Sequence, residues 1–283
     1  MRNLRTCEES QMNTGGSACK IDWGKIRGAI MIEHGKKLPV GVTAKMLEEL
    51  CHADRPDRIY PILPIYEGAK NGGEPQVNNV GYGPGTYNGL NAMTDTFTLG
   101  RFDEMLNAKL LQCANNQWDV YYWDSNKVLY GYNDGTDVLA GIPMSSVYPT
   151  VTPYATSGAK SVMTVSFCHA DAEDSLMNFD YVKLGFNPSN ALRGLTEVVL
   201  EEKTSNKFKV YETMGGYDRT MGIGSLIASN VEKVMSGVTS ATYDDGYLTI
   251  VPKSGETVAL KSPSVLYESG IKWIEAVKTV RIV

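Results

Sequence analysis

Three histidines, His34, His52 and His169, are the side chains here that titrate near neutrality, and two of them follow a cysteine, in Cys51-His52 and Cys168-His169. A thiol beside an imidazole suggests nucleophilic catalysis or zinc. The spacing opposes both. Adjacent residues on a strand point to opposite faces, so neither pair can chelate or relay a proton locally. The acids of "HADAEDS" (Asp171, Glu173, Asp174) could offer oxygens to calcium but lack the glycine and bidentate glutamate of an EF-hand, which leaves a solvated acidic loop. Gly81, Gly83 and Gly85 fail as a phosphate loop, because Thr86 stands where a third glycine is needed and no Gly-Lys-Ser/Thr follows. "MGIGSL" at 221–226 is no better, and neither GxSxG nor HExxH occurs. The sequence therefore implies no catalytic residue, no cofactor and no metal ligand, and a protein that is not an enzyme.

What remains is aromatic. "WDVYYWDSNKVLYGYNDG", from Trp118 to Gly135, places Trp118, Val120 and Tyr122 on one strand face and Asp119, Tyr121 and Trp123 on the other. "DSNK" offers turn chemistry, Val128, Leu129 and Tyr130 restart a strand, and "NDG" closes it. This is a β-hairpin with two apolar faces. It is either wall, covered on both sides, or a stacking platform for a ligand.

Around this hairpin the pattern is mainly β with a few helices. "TAKMLEELCHAD" reads as a helix capped by Thr43, with Ala44, Leu47, Leu50 and Cys51 on one face. Pro61 and Pro64 suit an edge strand or extended loop. "LNAMTDTFTLG" alternates as a strand, and "RFDEMLNAKLLQCANN" reads as a helix with Phe102, Met105, Leu106, Leu110 and Cys113 as its apolar stripe. "AKSVMTVSFCHA" is a strand, "LTEVVLEEKTSNKFKVYETMGG" a hairpin, and "SLIASNVEKVMSG" a short helix. Three or four short strands with "KSGE" and "ESG" turns end the chain. The expected organisation is an extended arm with some strand at 1–42, a β domain at 43–222 and a small C-terminal β module at 223–283.

Composition narrows the class. The 283 residues suffice for one large or two modest domains. A net charge of −5 argues against a general nucleic-acid-binding surface. No window approaches a membrane span, and "MRNLRTCEESQMNTGG" does not read as a secretory signal. Five scattered cysteines (Cys7, Cys19, Cys51, Cys113, Cys168) fit free thiols in a reducing cytoplasm, with Cys113 expected buried on its helix face.

The order of helix, "RIYPILPIYEG…EPQVNNVGYG", "YNG…DTFTLGRFDEMLNAKLL", "WDVYYWDSNKVLYG" and "LAGIPMSSVYPT", over roughly residues 40–150, resembles structural proteins of tailed phages of gut Bacteroidales, including the crAss-like phages. It is most similar to their tail-tube-like ring proteins. That resemblance implies a tail-tube-like β-sandwich or barrel packed on one α-helix, assembled as a homo-oligomeric ring, a hexamer or dodecamer, in the tail or neck of the virion. Portal, ring or tail proteins would be neighbours, and genomic DNA would pass without specific binding. Trp118, Tyr121, Tyr122, Trp123 and Tyr130 would then anchor the subunit interface. Asp95, Asp103, Glu104 and Asp119 are the carboxylates expected to face the lumen. The alternatives are a head-decoration or fibre-base protein on the capsid surface, or a carbohydrate-binding β-sandwich stacking sugar on Trp118, Tyr121, Tyr122 and Trp123.

Overall fold

The computed structural model describes residues 23–277 and the backbone of 281–282; most of the arm expected at 1–42, with Cys7 and Cys19, lies outside the described residues. The chain is mainly β. It divides into two units, one holding the residues up to Leu47 with Ile59–Leu192, the other Glu48–Arg58 with Arg193–Val283. The boundary expected between 222 and 223 thus moves to the residue after Leu192. The reason is pairing: the hairpin at 196–212 hydrogen-bonds to strands of the C-terminal segment and not to the aromatic sheet.

In chain order the first unit begins with β1 (Ile26–Glu33), and α1 (Ala44–His52) then crosses the division. Next come β2 (Tyr60–Ile62), β3 (Ile65–Gly72), β4 (Pro75–Asn78), β5 (Thr86–Leu90) and β6 (Met93–Leu99). After α2 (Glu104–Gln112) follow β7 (Trp118–Asp124), β8 (Val128–Tyr132), β9 (Ile142–Pro149) and β10 (Thr164–His169). The short α3 (Ala172–Met177) and β11 (Phe179–Lys183) complete it. Nine of these strands form one sheet, ordered β11–β8–β7–β9–β10–β6–β3, with β1 along β7 and β2 along β1.

The hairpin expected at Trp118 is β7–β8, and it is wall. β1 covers one edge of β7 from Ile26 opposite Asp124 to Glu33 opposite Trp118, while β8 and β9 share the other edge. Every residue of β7 is buried. Trp118, Val120 and Tyr122 join the main core with Phe97, Val147, Val165 and Phe167. On the opposite face Tyr121 donates to the Leu139 carbonyl, and Trp123 Nε1 donates to Ser189 Oγ at 3.1 Å. Gly28 is required beside Trp123, since a Cβ there would fall 2.1 Å from the indole. Burial of each such large side chain contributes about 1.5–3 kcal/mol. β1, inside the stretch expected as an arm, is therefore a structural strand. Its apolar run "AIMI" is fully buried because β2 and β7 flank it on both edges.

The expected helix after Arg101 is α2, capped by Asp103, whose carboxylate accepts from Leu106 N at 2.9 Å. Its stripe is narrower than expected. Only Leu110 is buried, Phe102 is exposed, and Cys113 is a half-buried C-cap rather than a core residue.

The second unit contains β12 (Thr196–Thr204), β13 (Lys207–Glu212), α4 (Thr220–Ser229), α5 (Val231–Val234), β14 (Met235–Ser236) and β15 (Val238–Asp244). β16 (Tyr247–Pro252), β17 (Ala259–Leu260), α6 (Pro263–Glu268), β18 (Ile274–Ala276) and β19 (Arg281–Ile282) follow. Its six-stranded sheet runs β15–β16–β13–β12–β18, with β19 also on β12. α4 packs on it over Val210, Leu248 and Ile250. The segment before the "ESG" turn, expected as strand, is α6, begun by Pro263 at its first helical position, where a missing N–H costs nothing. Residues 48–58 are tied into this unit by polar bonds: Arg58 Nη1 to Glu275 Oε1 at 2.8 Å, Lys272 Nζ to Glu48 Oε1 at 2.7 Å, and Trp273 N to His52 Nε2 at 2.8 Å.

Candidate functional site

β6 alternates cleanly: Met93, Asp95, Phe97 and Leu99 are buried and the three threonines between them are half-buried. Asp95 is thus a carboxylate on a core-facing step. The register supplies its neighbours. Lys70 on β3 lies directly opposite on one side and Phe167 on β10 on the other. His169, two residues beyond Phe167 and so on the same face, is the diagonal neighbour. Its Nε2 meets Asp95 Oδ2 at 2.8 Å, with both side chains almost fully buried. Lys70 Nζ stands 3.2 Å from Oδ1, half exposed. Tyr122, from β7, brings its hydroxyl beside the same carboxylate.

Burial alone would push the Asp95 carboxyl up. The hydrogen bond from His169 and the charge of Lys70 outweigh it and hold the group below the usual carboxylate range. Asp95 is therefore ionised, and Nε2 of His169 carries the proton it donates. Nδ1 of His169 is buried and without a hydrogen-bond partner among the described residues. Burial, with the Asp95 charge added, holds the Tyr122 proton far above its ordinary range, yet its hydroxyl also lacks a well-formed hydrogen bond. Asp95 Oδ1 has the Lys70 charge nearby but no hydrogen bond of good geometry. Three under-used polar atoms thus converge at one place.

The side chains of Asp95, Tyr122 and His169 border a cavity of about 410 Å³ within the first unit, walled also by Trp23, Tyr66, Phe97 and Phe179, while the three polar atoms themselves are closed off from it. Trp23, half exposed, stacks at 4.7 Å on Tyr130 and lies 4.7 Å from Phe179, with Lys70 Nζ 5.8 Å from its ring centre. A second cavity of about 220 Å³ lies against Leu38, Leu129 and Leu184. There the Tyr121 hydroxyl is satisfied, accepting from Leu38 N and donating to the Leu139 carbonyl.

No family model matches the chain, and no curated protein matches it. Among solved structures, the tube-terminating cap of the anti-feeding prophage is similar over 62% of this chain and 100% of its own, at 10% identity and a TM-score of 0.29. The baseplate of the anti-feeding prophage, 6-fold symmetrised, is similar over 59% of this chain and 98% of its own, at 8% identity and a TM-score of 0.29. Likeness at that TM-score carries no argument for shared function.

The aromatics expected at a subunit interface lie inside this one chain. Trp118, Tyr121, Tyr122, Trp123 and Tyr130 are all buried within this one chain, Trp118 most exposed at 7%. Both faces of their strand are covered within the chain, by the main core on one side and by Leu38, Leu139 and Ser189 on the other. The same burial removes the stacking surface that Trp118, Tyr121, Tyr122 and Trp123 would have offered to sugar. Two carboxylates expected to face a lumen are also internal. Asp95 pairs with His169, and Asp119 accepts from Gly35 N at 2.7 Å and contacts His34 Nδ1 at 2.8 Å. Asp103 and Glu104 are exposed.

Neither cysteine partner matters to its histidine: His169 finds Asp95 and His52 finds backbone. The sequence did carry one signal for the Asp95 site, an acid on the apolar step of "MTDTFTL". Its partners come from strands 25 and 74 positions away and have no local signature. Among the described residues no group of three His, Cys, Asp or Glu side chains could hold a metal, and no helix is long and apolar enough to cross a membrane.

Proposed function

We propose that this chain is a non-enzymatic structural subunit of a tailed-phage virion, which self-assembles into a ring of the tail or neck tube through which the genome leaves. The observation that carries this reading is an open sheet edge. β3 ends the nine-stranded sheet, pairs with β6 on one side, and is exposed from Tyr66 to Gly72. It continues into the β4–β5 hairpin, where Val77, Val80, Tyr82 and Tyr87 are exposed, Val80 at 90%.

Exposed strand edges are templates for another chain, and isolated proteins blunt them. Lys70 is the only charge that β3 carries besides Glu67, and no helix or loop of the described residues pairs with its free edge. A neighbouring copy adding a strand there makes a head-to-tail contact, which closes into a ring when the rotation allows. The order of sequence segments shared with tail-tube-like proteins of gut Bacteroidales phages supports the same reading. The net charge of −5, repeated in every copy, suits passage of DNA without binding.

Native mass spectrometry with negative-stain electron microscopy tests it. The expected result is a closed ring of six or twelve copies with a lumen and no affinity for duplex DNA at physiological salt. A strictly monomeric chain, or tight salt-sensitive DNA binding, rejects it.

A further inference from the structure

Two features of the first unit match each other: the cavity beside β3 and the β4–β5 hairpin. The unpaired polar atoms of Asp95, Tyr122 and His169 are closed off, so the cavity offers mainly ring and hydrocarbon, from Trp23, Tyr66, Phe97 and Phe179. The charges around it are two of each sign, Lys25 and Lys70 against Glu67 and Asp95. An uncharged aromatic occupant suits such a wall. A cavity of about 150 Å³ already holds benzene, so one of about 410 Å³ admits a phenol ring. It is reachable as well, since Trp23 and Tyr66 at its rim are 54% and 66% exposed.

The chain carries such an occupant. From Pro75 to Asn91 no side chain is charged. β4 and β5 pair only with each other, and an isolated two-stranded hairpin is marginally stable in water. At its tip Gly83 N donates to the Val80 carbonyl at 2.9 Å, with Gly81 at φ 60°, which leaves Tyr82 at the apex of the turn. Tyr82 is fully exposed in its own chain and so does not fill its own chain's cavity.

We infer that Tyr82 of one copy enters the cavity between Trp23, Tyr66 and Phe179 of the next, seating the hairpin beside β3. An exposed apolar knob and a pocket elsewhere on the same molecule make a head-to-tail contact, repeated from copy to copy. The cavity flanks β3, the strand whose edge is open, so the pocket and the free edge lie side by side. The contact rests on the reading of the chain as an assembling subunit, and it names both surfaces.

The test places a photo-cross-linker at the knob, Tyr82→p-benzoylphenylalanine, in the full chain. Isotopically light and heavy protein are mixed, irradiated, and read by cross-link and native mass spectrometry. Cross-links between light and heavy copies should join position 82 to the peptides carrying Trp23, Tyr66 or Phe179. Tyr82→Ser and Tyr66→Ser, both at exposed positions, should each raise the concentration needed for assembly about tenfold and leave the melting temperature unchanged. The double variant should be no worse than the weaker single one, because both remove the same contact. Rings cross-linked from position 82 to other sites, or effects of the two substitutions that multiply, overturn the proposal and leave the ring reading standing. Cross-links confined to single copies overturn it too. Cross-links to the cavity in open chains or dimers uphold the contact and reject the ring, and a chain that stays monomeric at every concentration rejects both.

Discussion

The hydroxyl of Tyr130 donates to Asp124 Oδ2 at 2.7 Å, across the turn that joins β7 to β8. The same oxygen accepts from Gly24 N at 3.0 Å, and Oδ1 accepts from the amides of Asn126 and Val128 at 2.8 and 2.9 Å. One carboxylate, 1% exposed, thus closes the hairpin turn, holds the chain entering β1 and seats a core tyrosine. Burial and the Asp124 charge together push the Tyr130 pKa well up, so it stays a donor.

Asp124→Ala should therefore strand four donors in one step. A loss of about 3–5 kcal/mol is expected for breaking such a buried network. Urea unfolding followed by tryptophan fluorescence measures it. A loss below about 1 kcal/mol would show that the turn holds without the carboxylate.

His52 ties stability to pH. Its Nδ1 donates to the Glu48 carbonyl at 2.7 Å, its Nε2 accepts from Trp273 N, and its ring lies 4.5 Å from those of Tyr267 and Trp273. Only the neutral ring makes both bonds. Burial lowers its pKa below 6.5, against the raising effect of Glu48 and with the charges of Lys272 and Arg58. Because the folded value is the lower one, the unfolded chain takes up the proton first as pH falls. The contribution is complete above pH 6.5 and is lost below it. Denaturant midpoints between about pH 7.5 and pH 5 should fall for the native chain and fall less for His52→Gln. Parallel curves for the two proteins would remove His52 from the account.

None of the three described cysteines is in a disulfide, and Cys51 and Cys168 differ in environment. Burial pushes Cys51 up to about 11. Cys168 is half-buried; burial raises its pKa, but hydrogen bonding with Thr94, Ser146 and Tyr148 outweighs that and lowers it. Alkylation of the native protein near pH 8, read by peptide mass spectrometry, should modify Cys168 well before Cys51. Cys51 should react only on unfolding. Equal rates would contradict the burial of α1.

The hairpin separates assembly from folding. Tyr82 is fully exposed at the β4–β5 tip. Tyr82→Ser should leave the melting temperature of the free chain within the range of ordinary surface changes, about ±0.5 kcal/mol in stability. It should also reduce the ring population in native mass spectra. Rings that form as before would move the assembly surface away from this hairpin.

Much of the local structure was legible because it depends on period and turn chemistry alone. "WDVYYWDSNKVLYG" specifies a hairpin with two apolar faces, Thr43 and Asp103 cap their helices, and "TSN" turns β12 into β13, with Asn206 in the left-handed region. Tertiary structure decided what covers each face. The aromatic strand reads the same whether a neighbour or β1 lies beside it, because period two records that a face is buried and not by what. The strand expected within the arm is β1, but only its place between β2 and β7 makes "AIMI" part of the core. The Asp95 site depends on register, which places Lys70, Asp95 and His169 together although each reads alone as an ordinary polar residue. Sequence determines which residues a strand turns inward; only the pairing of strands far apart in the chain decides which of them meet.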